Sequence, residues 1–128
     1  MPESLRKLIV FGAVGGIASL LHMLIAYVAL EQLGLSIFAA NFWGFVIAFV
    51  WSYVGHYYFT FRSTAGHRQS VMRFSVTAIA GYAINNGVVL ICVLATGTES
   101  FWFIIAGIIV AAVAVFVASN LWAFAGDK

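Results

Sequence analysis

Fixed charge is what this chain has least of. Six Lys or Arg and four Asp or Glu occur in 128 residues, and no one of the ten falls well inside an apolar run. Soluble domains carry about a quarter charged residues and use them to cover apolar surface. At 8 % charged and 64 % hydrophobic, this chain has too little polar cover to fold in water. The missing carboxylates exclude more than a soluble fold. A proton-driven multidrug exchanger needs a membrane-embedded carboxylate to bind drug and proton in turn, and none is present. Glycosyl transfer needs acid/base carboxylates, often with metal. The four acidic residues lie near ends or bends and none is paired, so the chain is expected not to be an enzyme. His22, His56 and His67 lack metal-ligand spacing with Cys92 or with each other, so neither metal nor cofactor is expected. The lone Cys92 excludes an internal disulfide and reads as a small buried hydrophobe. The lone proline, Pro2, leaves every apolar run free of forced kinks. A net charge of +2 gives no argument for a nucleic-acid partner.

Apolar length is abundant. Four segments stand out, roughly 8–30, 37–59, 74–95 and 101–123. Each is long enough to cross a hydrocarbon core of about 30 Å as a helix. The first is too long for a signal-peptide core and lacks a clear cleavage site. A shift of 63 residues brings the chain onto itself without a gap: Phe11 meets Phe74, Gly34 meets Gly97, Gly44 meets Gly107, Ala48 meets Ala111 and Phe61 meets Phe124. Each half is two apolar runs around a short polar bend. The expected fold is an all-α membrane protein with four transmembrane helices, formed by two repeated hairpins of parallel topology. It makes one domain over 1–128, with repeat 1 at about 5–61 and repeat 2 at about 68–124. A cytoplasmic loop at 60–72 joins them. Gly34 and Gly97 are expected to end helices 1 and 3.

Charge sets the expected orientation. Arg6, Lys7, Arg62, Arg68, Arg73 and Lys128 all fall on one side of a four-span chain, with Glu3 and Asp127, giving six minus two, or +4. The opposite bends carry Glu31 and Glu99, or −2. The positive-inside rule then puts both termini and the central loop in the cytoplasm.

Small residues recur along single helix faces: Gly12, Gly15, Ser19, His22, Ala26 and Ala29 in helix 1, and Ser75, Ala78, Tyr82, Asn85, Val89 and Cys92 at the same positions plus 63. Asn41, Gly44, Ala48, Ser52 and Gly55 mark a face of helix 2, and Gly107, Ala111, Ala114 and Ala118 one of helix 4. In lipid such stripes read as packing seams inside the chain, and one left over would suit a homodimer. Four helices are expected to enclose little interior, which leaves room for a homodimer that completes a pathway.

Neutral polar groups fall inside the spans. His22 and Asn85 are repeat equivalents near mid-helix, with Tyr82 and Asn86 beside the second. They read either as a patch that meets a sugar or phosphate head group, or as an interhelical hydrogen bond that fixes packing. At the end of helix 2 stand Trp51, Ser52, Tyr53, His56, Tyr57, Tyr58, Phe59, Phe61 and Arg62. An aromatic belt at head-group depth accounts for Trp51, Tyr57 and Tyr58 but not for His56 or Arg62. Arg62 and Arg73, with Arg6 and Lys7, either hold a lipid phosphate or only set topology and meet anionic membrane lipid.

Arg6-Lys7-Leu8-Ile9-Val10-Phe11-Gly12-Ala13-Val14-Gly15-Gly16 with Leu20-Leu21-His22, and the close of helix 2 at Ser52-Tyr53-Val54-Gly55-His56-Tyr57-Tyr58-Phe59-Thr60-Phe61-Arg62, resemble the GtrA-like family of small four-helix bacterial membrane proteins. Arg73-Phe74 and Ser119-Asn120-Leu121-Trp122-Ala123-Phe124 repeat the pattern more loosely, so the resemblance covers about residues 5–124. Tyr57 and Asn120 stand where members commonly carry Arg, which moves any phosphate contact to Arg62 and Arg73. The resemblance implies a facilitator that flips a polyprenyl-phosphate-linked sugar across the bacterial inner membrane for cell-surface polysaccharide synthesis. Its substrate groove would be lined by His22, Asn41, Ser52, His56, Asn85 and Asn86, approached past Arg62 and Arg73. The alternative is an accessory subunit that positions a membrane glycosyltransferase and transports nothing.

Overall fold

The computed structural model describes residues 2–60 and 67–118. They form four helices: α1 at Glu3–Tyr27, α2 at Ile37–Gly55, α3 at His67–Thr96 and α4 at Phe101–Ala118. α1 runs on through a π-helical turn at Val28–Gln32, and α2 through another at His56–Thr60. Leu8–Gln32, Ile37–Phe59, Met72–Thr96 and Phe101–Ala118 are each long and apolar enough to cross a membrane.

The helix ends follow from local chemistry. Gly34 and Gly97 have φ of 68° and 70°, a left-handed backbone that costs glycine nothing. Around Gly34 the Leu35 amide bonds back to the Ala29 carbonyl at 3.0 Å, and the Gly97 amide reaches Val93 at 2.7 Å. α2 starts at Ser36, whose Oγ accepts from the Ala39 amide at 3.2 Å. The Ile37 amide donates to Glu99 Oε1 at 3.0 Å, across 62 residues of sequence. A carboxylate from the α3–α4 bend therefore caps α2 at the positive end of its dipole and ties the two bends together. The sequence reading used Glu99 only as a marker of orientation.

The polar stretch 60–72, expected as a loop, is helical from His67 onward. Arg68 and Gln69 are good helix formers, and a helix satisfies its own backbone wherever it leaves the lipid. Arg62, Asn120, Trp122 and Lys128 lie outside the described residues.

α1 packs chiefly on α2, and α3 on α4. Glycines allow these close approaches. A Cβ at Gly44 would lie 2.7 Å from the His22 carbonyl oxygen, and one at Gly107 would lie 2.8 Å from that of Asn85. Trp51 Nε1 donates to the Val14 carbonyl at 3.0 Å, so its indole is held by α1 within the bundle. At the bend end Ala26, Ala29, Ile37, Ala40, Val89, Ile104 and Ile108 form one buried apolar cluster shared by all four helices. Leu20, Ile91, Leu94 and Trp102 point outward, each more than 60 % exposed, as lipid-facing side chains do.

The stripe expected to pack helix 1 is only half used. The buried line of α1 is Val14, Ala18, His22, Ala26 and Ala29, and that of α3 is Phe74, Thr77, Gly81, Asn85 and Val89. Gly12, Gly15 and Gly16 face open space, with nothing within 4 Å of an added Cβ. They are placed where a helix was left room, not where one was drawn close.

Candidate functional site

Away from the bends the two hairpins part and leave a cavity of about 570 Å³. All four helices line it. α1 contributes from Leu8 to His22, α2 from Phe45 to His56, α3 from Phe74 to Asn85 and α4 from Ile108 to Phe116. Leu8 to His22 is fourteen residue steps, or about 21 Å of depth at 1.5 Å per residue. The cavity thus begins at the end where α1 and α3 start and the π-helical turn of α2 closes. It ends near mid-span, where the apolar cluster closes the rest. Its walls are mostly apolar with a few polar groups, the make-up of a ligand site, and its volume lies within the usual range of about 300–1,000 Å³. The space is an open groove between the helices, not an enclosed interior. The glycines of α1 that border it, Gly12, Gly15 and Gly16, carry no side chain into it.

Polar groups converge on its floor. The Asn41 side chain is fully buried between α1 and α3. Its Oδ1 lies 2.8 Å from His22 Nε2, and its Nδ2 donates to Asn85 Oδ1 and Asn86 Oδ1, each at 3.3 Å. A carboxamide oxygen only accepts, so this arrangement assigns the His22 proton to Nε2. One amide from α2 therefore joins the polar residues of α1 and α3. His22 and Asn85 are 6 % and 2 % exposed, and both line the cavity. The interhelical hydrogen bonds are present, and both residues also line the cavity.

The remaining expected site residues divide. Ser52 and His56 line the cavity wall. His56 is fully buried at the mouth, stacked on Phe11 at 4.8 Å and edge-on to Phe74 at 4.4 Å. Phe11 and Phe74 are the residues matched by the 63-residue shift. Asn41 and Asn86 stand behind the floor and hold it without lining the cavity. Arg73 is half-buried next to Phe74 at the mouth, and its carbonyl accepts from Thr77 Oγ1 at 2.8 Å. Arg6 Nη1 donates to the Phe59 carbonyl at 2.7 Å and so holds the end of α2. Arg62, the other expected phosphate contact, lies outside the described residues. No group of three metal-ligating side chains occurs among the described residues.

Sequence reasoning passed over the aromatic wall. Phe45 and Tyr82 stack at 4.4 Å between α2 and α3, and Phe49 lines the cavity one turn further along α2. The signal was present as aromatics on the same face as Ala48 and Ser52, but it is the same as that of lipid-facing phenylalanines.

Residues 10–124 match the family model described as GtrA/DPMS, transmembrane domain. No curated protein and no solved structure matches the chain. The chain belongs to the GtrA/DPMS transmembrane-domain family and is a multi-pass membrane protein.

Proposed function

We propose, starting from that membership, that the protein moves a polyprenyl-phosphate-linked sugar from the cytoplasmic to the outer leaflet of a bacterial inner membrane, for cell-surface polysaccharide synthesis. One observation carries the reading. The cavity reaches halfway across the span, lies toward the end where α1 and α3 start and α2 closes, and has a neutral hydrogen-bonding floor at His22 and Asn85. Hydroxyls of a sugar suit such a floor, and aromatic walls at Phe45, Phe49 and Tyr82 suit its apolar faces. The +4 against −2 charge split supports a cytoplasmic mouth, with both termini on that side. The 63-residue self-match and the paired approaches of Gly44 to His22 and Gly107 to Asn85 support a hairpin used twice in parallel topology. The route is drawn through a single chain, whose four helices all line the cavity.

No coupling ion is required. A phosphodiester carries about one negative charge, and a membrane negative inside favours its outward movement by about 2.3 kcal/mol per 100 mV. The test is leaflet-resolved: purified protein in vesicles, with labelled polyprenyl-phosphate glucose and related sugars supplied on one side. Movement to the far leaflet, lost in His22→Ala with protein level unchanged, is the expected result. Lipid that stays in its original leaflet for every head group tried sinks the proposal. Capture of a membrane glycosyltransferase, with polysaccharide decoration surviving loss of His22 and Asn85, would instead favour an accessory subunit.

A further inference from the structure

The cavity walls are not equally closed, and the difference follows the helices. Every cavity-lining residue of α2 and α3 is buried or half-buried. The exposed lining residues are Leu8, Gly12 and Gly16 of α1 and Ala112, Val113 and Phe116 of α4. The seam between α2 and α3 is shut by the Phe45–Tyr82 stack at 4.4 Å, with Phe42 against the same tyrosine at 6.5 Å. Opposite it, α1 presents Gly12, Gly15 and Gly16, and no atom lies within 4 Å of the Cβ that any of them lacks. The cavity thus has a lateral slot between α1 and α4, apolar on both lips, that faces the bilayer at the depth of the spans.

We propose that this slot holds the hydrocarbon tail of the lipid whose head group occupies the cavity. The inference rests on the reading of the chain as a carrier of a polyprenyl-phosphate sugar. Two independent observations meet in it. The slot is continuous with the cavity, so a lipid lying in it reaches the polar floor without leaving the membrane. The floor also retains polar groups turned toward that space: Ser52 is 7 % exposed, and its hydroxyl is bonded to no other described residue, while the Asn85 carboxamide nitrogen donates to none. Buried polar groups of this kind call for a partner, and an amphiphile entering by its head supplies one. The tail stays in hydrocarbon throughout, so its apolar surface is never presented to water. The α1 glycines explain themselves on this account. A side chain at any of them would stand in the slot.

The same glycines make the test clean. Substitution at Gly12 or Gly16 meets no clash and replaces a poor helix former with a good one, so Gly12→Leu/Gly16→Leu should fold. Gly87→Leu is the control: it also has open space, on α3, and does not line the cavity. Polyprenyl-phosphate glucose carrying a diazirine in its isoprenoid chain is photolysed with the reconstituted protein, and labelled residues are mapped. A diazirine phospholipid is run in parallel. The tail should label α1 between Leu8 and Ser19 and α4 between Ile108 and Phe116. That labelling should fall at least tenfold in the double variant and be unchanged in Gly87→Leu. Labelling mainly on α2 and α3, or undiminished in the double variant, overturns the slot, and so does labelling by phospholipid that polyprenyl-phosphate glucose fails to displace. Absence of any specific label also overturns it. Labelling at the slot with no leaflet transfer would leave the slot standing and remove the carrier function. Transfer with the label elsewhere would do the reverse.

Discussion

Removing the Asn41 side chain is the sharpest test of the polar floor. Asn41→Ala deletes three hydrogen bonds, to His22 at 2.8 Å and to Asn85 and Asn86 at 3.3 Å each. Interhelical side-chain bonds within membranes average about 0.6 kcal/mol and reach about 1.7. Three of average strength give about 2 kcal/mol. The low end is the right one here, because two of the three are long and water in the adjoining cavity can take over some of them. A loss of about 2 kcal/mol shifts the unfolding equilibrium about thirtyfold. Reversible unfolding in mixed micelles, followed by tryptophan fluorescence, reads it directly. The double-mutant cycle with His22→Ala isolates the one short bond, and its coupling should lie at about 0.6–1.7 kcal/mol. Distant sites add to within about 0.3–0.5 kcal/mol. If the cycle closes inside that margin, or if Asn41→Ala unfolds like the unaltered protein, the floor is not a connected unit and the reasoning fails. The same variant should slow leaflet transfer, because Asn85 loses the partner that fixes its carboxamide.

Three further outcomes are expected. Gly44→Val should cost about 1–3 kcal/mol by overpacking, since even its Cβ would sit 2.6 Å from His22 Cδ2, whereas Gly12→Ala should be neutral or mildly stabilising in the same unfolding measurement. Glu99→Ala should destabilise by about 0.5–2 kcal/mol, because the buried Ile37 amide loses its cap, and Glu99→Gln should cost less because an acceptor remains. Thr98→Cys in a Cys92→Ala background should react with an impermeant maleimide added outside intact cells, and reaction only after lysis would reverse the proposed orientation.

Much of the fold was legible because lipid leaves few choices. A proline-free apolar run of about 20 residues in a chain this poor in charge must be a spanning helix, and a glycine after it must be the place it stops. Repeat matching singled out His22 and Asn85, and the structure joins both to Asn41. What failed to show in the sequence were relations between helices. The glycine stripe of α1 has the composition of a contact, yet it borders a void, because small side chains permit close approach without compelling it. Asn41 has Ile104 as its repeat partner, so the duplication itself pointed away from the residue that bridges the halves. Glu99 could be counted as a charge, but its bond to Ile37 depends on how two bends meet.

The apolar cluster of Ala26, Ala29, Ile37, Ala40, Val89, Ile104 and Ile108 has an electrical consequence. On the proposed function, with the cavity open to the cytoplasm, a membrane voltage would drop mainly across this apolar septum instead of the full hydrocarbon width. An anion carried past the septum in the proposed transport would then gather most of the driving force in that one short step.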